Sequence, residues 1–83
     1  MKVRPNLSTD MKVIVTVHAK QRLHEERQRG IRVEDIVRAA NQIPGSVPIA
    51  TRFRGFVSLS GRTFDIVAKD IAQGRLVITV IGK

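Results

Sequence analysis

The chain has no cysteine, no tryptophan and no tyrosine, and its aromatic content is three phenylalanines. Without cysteine there is neither a disulfide framework nor a thiolate metal site. No apolar run approaches the roughly 20 residues of a membrane-spanning helix. Residues Met1 to Asp10 carry two basic groups but no apolar stretch of the kind a signal peptide needs. These absences lead to the expectation of a soluble, cytoplasmic protein. Acids are also scarce: seven Asp and Glu face fifteen Lys and Arg, for a net charge of +8. That is too few carboxylates for an ion-pair network to absorb most of the cations, so the charge points outward, to a polyanionic partner.

What is present is globular in composition, with 42% hydrophobic and 27% charged residues over 83 positions. That length gives one domain, and a chain of this size buries only about 60–65% of the surface its unfolded form exposes. Residues 1–10 hold Pro5, Asn6, Ser8, Thr9 and Asp10 without periodicity and read as a flexible tail, leaving 11–83 as the domain; Met11 is a candidate internal start. Lys12 to Val17, β-branched and apolar, is expected to be the first strand. His18 to Arg29 contains no Gly, Pro or β-branched residue, which predicts a single helix closed by Gly30 in a left-handed cap. Its apolar face, Ala19 and Leu23, is narrow. Val33, Ile36, Val37 and Ala40 make the i, i+3, i+4, i+7 stripe of a second helix, with Glu34 and Asp35 in its first turn and Asn41, Pro44 and Gly45 after it.

The remainder reads as β. Strands are expected over Val47 to Phe53 and Gly55 to Leu59, followed by a turn at Ser60-Gly61. Another runs from Thr63 to Lys69, with Phe64, Ile66 and Ala68 on one face, then a loop over Asp70 to Gly74. Arg75 to Ile81 is apolar on both faces, as a central strand should be. The order is β-α-α-β-β-β, with a fourth closing strand if both early ones form. It predicts an α+β fold with two helices on one face of a mostly antiparallel sheet.

His18-Ala19-Lys20-Gln21-Arg22-Leu23, followed by Glu26-Arg27 and Gly30-Ile31, resembles the opening motif of domain of unknown function family 4258. That motif is roughly His-Ala-x-x-Arg-(Leu/Met)-x-Glu-Arg-Gly-Ile. Glu34-Asp35-Ile36, Gly61-Arg62, Ile66-Val67 and Val77-Ile78-Thr79-Val80 resemble its later elements, so the likeness spans about Val13 to Ile81. Gln28 and Arg29 stand between Arg27 and the glycine, so the spacing from Arg22 to Gly30 is three residues longer than usual in that family, nearly one helical turn. The family is similar to the RelE, MqsR and BrnT toxins, small basic ribonucleases held by antitoxins. The resemblance implies a RelE-like fold, a metal-independent endoribonuclease activity and an acidic antitoxin-like protein partner. The alternative is a non-catalytic module binding RNA, DNA or an acidic protein, or a small homo-oligomer whose charge keeps it soluble.

In the catalytic reading His18 is the general acid or base, and Arg62 and Lys69 stabilise the phosphorane. The plainer reading of His18 is a helix cap or a ring bonded to backbone. Arg22, Arg27, Arg52, Arg54 and Arg75 are the nucleic-acid-binding candidates, set against a solvated face or internal ion pairs. Arg52 and Arg54 flank Phe53, with Phe56 nearby, an interleaving that suits single-stranded RNA unless the phenylalanines belong to the core. His18 and His24 lack the i,i+4 spacing of a helical zinc pair, and no acid completes a set. Neither a metal nor a cofactor is expected, and no Ser-His-Asp arrangement, Gly-rich phosphate loop or carboxylate dyad is present.

Overall fold

The computed structural model describes residues 12–83; the expected tail and internal start lie outside the described residues. Within it, β1 (Val13–Val15) leads into α1 (Val17–Arg22), a 3-10 turn (Glu26–Gln28) and α2 (Val33–Gln42). Three long strands follow, β2 (Thr51–Val57), β3 (Thr63–Ile71) and β4 (Gly74–Gly82). The sheet order is β1-β4-β3-β2. β1 pairs parallel with β4, and the other two pairings are antiparallel. The α+β class and β4 as a central strand agree with the sequence reading. No helix among the described residues is long and apolar enough to cross a membrane.

The core lies between α2 and the sheet. Ile36, Ala39, Ala40 and Ile43 meet Phe64, Ile66, Ala68, Val77 and Val80, with Ile31 and Val47 closing the ends. The α2 stripe is rotated from the one expected: Val33 is 38% exposed while Asp35 turns inside. Asp35 faces inward because it accepts hydrogen bonds from Arg32 N (2.9 Å) and Leu59 N (3.0 Å), tying the helix start to the β2–β3 turn. The first of these closes the helix's opening turn in the manner of a capping box.

The first helix is not the single element its composition predicts. α1 stops at Arg22, and the chain turns before the 3-10 segment. The reason is the edge of β4. β1 covers only Arg75 to Val77, and beyond it side chains supply the partners a strand would have given. Thr16 Oγ1 caps α1 by accepting from Ala19 N (3.0 Å) and donates to Ile78 O (2.9 Å). Arg22 Nε donates to Val80 O (2.8 Å), and Gln28 Oε1 accepts from Gly82 N (2.7 Å). The fully buried Gln28 amide donates to Arg22 O and Glu25 Oε1. Leaving such buried groups unmet would cost roughly 1–3 kcal/mol each, more than the few tenths per residue that helix propensity offers. A side chain at Gly82 would place its Cβ 2.1 Å from Arg27 O, so only glycine lets the turn approach.

The two early strands expected from the sequence are one strand with a bulge. Val47–Ala50 is irregular, and β2 shifts register between Phe53 and Phe56. Phe53 and Phe56 are three apart and would lie on opposite faces of a regular strand. The extra residue at Arg54-Gly55, with Gly55 at φ +84, brings both rings onto the core side. Phe56 and Phe64 then stack at 5.8 Å between centroids. The expected loop over Asp70 to Gly74 shrinks to Ala72-Gln73, because Asp70 and Ile71 pair with Arg75 and Gly74.

Candidate functional site

β3 carries Asp65 on the face opposite α2, since its neighbours Phe64 and Ile66 point to the core. Asp65 is completely buried, and the bulge explains how: Gly55 N donates to its Oδ1 at 3.0 Å. Arg52, opposite Val67 on the same face, gives its Nε (3.0 Å) and Nη2 (2.8 Å) to Oδ2. Arg54 Nη1 and Lys83 Nζ approach the same oxygen at 3.7 and 3.5 Å. Burial pushes the Asp65 carboxyl upward, but the Arg52 and Gly55 hydrogen bonds and the Lys83 charge prevail and hold it below its ordinary value. One carboxylate thus sits beneath three cations, and the arginine of the bulge remains 66% exposed.

Lys69 is exposed on this face, two residues beyond the position paired with Arg52, within diagonal reach across the strands. Arg62 is at the other end of β3. Its guanidinium donates to Arg29 O (2.5 Å), Arg27 O (2.6 Å) and Lys83 O (3.2 Å), clamping the 3-10 turn to the last residue. Arg27 itself is exposed beside that clamp. The seven-residue interval from Arg62 to Lys69 along an extended strand is roughly 23 Å. His18 belongs to a third place, exposed on α1 at the flank of β4, where Thr16 and not the histidine caps the helix. His18, Arg62 and Lys69 therefore do not converge on one phosphate.

Of the nucleic-acid-binding candidates, Arg52 and Arg54 share the Asp65 cluster with Lys83. Arg22 serves the β4 edge and lies 3.5 Å from Glu25. Arg75 is an interior residue, 1% exposed, which removes it from any contact surface. All five of its N–H donors are engaged: Nε and Nη2 with Asp70 (2.7 and 3.1 Å), Nη1 with Ala40 O and Ile43 O, and Nη2 again with Gly45 O. It closes the carbonyl end of α2, where cations are favoured. Phe53 and Phe56 pack half-buried against the core on the α2 side, away from Asp65 and Arg52, so the aromatic-stacking reading loses its platform.

Sequence reasoning missed Asp65 as the organiser and Gln28 as a buried plug. Asp65 left one signal, an acid between core residues Phe64 and Ile66, but strand register alone reveals which cations surround it. Compared with known proteins, the chain matches no family model, no curated protein and no solved structure.

Proposed function

We propose that this chain is an RNA-binding module whose contact surface is the basic strip opposite α2: Lys69, Arg52, Arg54 and Lys83. The observation that carries this is Asp65, a single buried carboxylate with three cations about it. Positive charge there exceeds what the protein itself neutralises, and the N–H groups of Arg54 and Lys83 remain open to phosphate oxygens. With the phenylalanines turned to the α2 side of the sheet, binding is electrostatic and tolerant of sequence. The ribonuclease activity implied by the RelE-like resemblance would need His18, Arg62 and Lys69 around one scissile phosphate. Their separation favours binding over cleavage.

The test is fluorescence anisotropy with a labelled 20-nucleotide single-stranded RNA over a salt series in chelator, followed by a gel of the same samples. Binding at low salt is expected, with a log–log slope of roughly −2 to −3 for three or four phosphates on a single strand, and the RNA should stay intact. Absence of binding at low salt would sink the proposal. Cleavage that His18→Ala abolishes would replace it with the ribonuclease reading.

A further inference from the structure

β2 is an edge strand of the sheet, and among the described residues nothing pairs with its outer side. α2 does not close over it. A cleft of about 270 Å³ opens between them, walled by Gly55, Phe56 and Val57 on the strand and by Arg38, Ala39 and Gln42 on the helix. Around this edge the molecule leaves large apolar side chains in water: Val57 is 60% exposed, Leu59 84% and Ile49 70%. The opposite flank of the sheet is managed differently, with Thr16, Arg22 and Gln28 filling the β4 edge.

We propose that the outer edge of β2 is a docking strand for an extended, acidic segment of a partner protein. Its chemistry follows from the two faces of β2. A strand added here alternates its side chains between the faces. On one face they reach the cleft, where an apolar floor of Ala39, Phe56 and Phe64 lies inside a polar rim of Arg38 and Gln42, and a small apolar residue fits that floor. On the other they meet Arg52 and Arg54, which suits Glu or Asp. The segment is therefore one in which acidic and apolar residues alternate over five to seven positions, matching the seven residues of β2. A second copy of this chain fits badly. Two β2 edges side by side would set Arg52 and Arg54 of one copy against those of the other. The site shares Arg52 and Arg54 with the RNA strip but depends on the strand edge and the cleft, which the RNA reading does not use.

The full chain is titrated with a labelled peptide alternating Val and Glu, and with the same peptide N-methylated at alternate amides. N-methylation removes two or more backbone hydrogen bonds and is expected to weaken binding about tenfold. Gln42→Glu, an exposed position on the cleft wall away from the basic strip, should weaken peptide binding by a similar factor and leave RNA binding unchanged. Arg54→Glu should weaken both. Amides within 51–57 should gain hydrogen-exchange protection with the peptide and not with RNA. The proposal is overturned if N-methylation changes nothing, or if protection appears elsewhere. It is equally overturned if sedimentation shows a dimer that Val57→Lys dissociates, since the edge would then be occupied by a second copy. Loss of RNA binding with intact peptide binding would overturn only the RNA reading.

Discussion

Asp70 and Asp65 lie five residues apart on β3, and each holds an arginine from the neighbouring strand. Asp70 faces α2. Its partner Arg75 is sealed under the helix, meeting the carbonyls of Ala40, Ile43 and Gly45 while the carboxylate also takes Val47 N at 2.7 Å. Donors and acceptors balance there, and no charge is left for a ligand. Asp65 faces the other way. It anchors the bulge through Gly55 N, yet the cations above it outnumber it. The parity of a strand, one residue to each face in turn, converts the same pairing into a rivet on one side and an exposed basic cluster on the other.

Acid should break both sites at once and have the largest effect. Asp35, Asp65 and Asp70 all sit below the ordinary value of 3.8 in the folded chain. At Asp70 the Arg75 hydrogen bonds are the chief cause; at Asp35 and Asp65 hydrogen bonds overcome the upward push of burial. The folded state then holds fewer protons than the unfolded one, so their stabilisation is complete above the unfolded pKa and is lost as pH falls through the folded values. Urea midpoints should be level from pH 7 to about 5 and fall steeply below about 4.

Single substitutions separate the two sites. Arg75→Met strands Asp70 and the end of α2, and urea unfolding should show a loss of about 3–5 kcal/mol; RNA affinity per folded molecule should not change. Asp65→Asn keeps an acceptor for Gly55 N but removes the charge beneath Arg52. A loss of about 1–3 kcal/mol is expected, together with tighter RNA binding because the strip gains positive charge. A variant that weakened RNA binding would contradict the assignment of the strip. Arg54→Ala should be the mildest in stability, within about 0.5 kcal/mol, while anisotropy shows a salt slope shallower by about 0.7 if Arg54 meets one phosphate.

The α2 element and the central strand β4 were legible because their patterns are local: helical spacing at Ile36 and Ala40, and unbroken β-branched residues from Val77 to Ile81. The end of α1 was not, since nothing local stops a helix between His18 and Arg29. The turn there is imposed by Gly82, some 54 positions from Gln28 in sequence. The single bulged β2 was hidden for a like reason. Gly55 reads as a break in the chain until Phe53 and Phe56 must share a core. Among the candidate residues, Arg52 and Arg54 retained a surface role, while Arg22, Arg62 and Arg75 became structural. An arginine's composition signal is the same whether its partner is a phosphate or a carbonyl.

The sequence by itself determined the charge, the α+β order of elements and the presence of α2, each set by composition or by spacing within one element. The tertiary structure alone decided which cations are internal, which surround Asp65, and which sheet edge is filled. Those outcomes depend on register and on contacts between distant residues, where a shift of one position exchanges the buried face for the wet one.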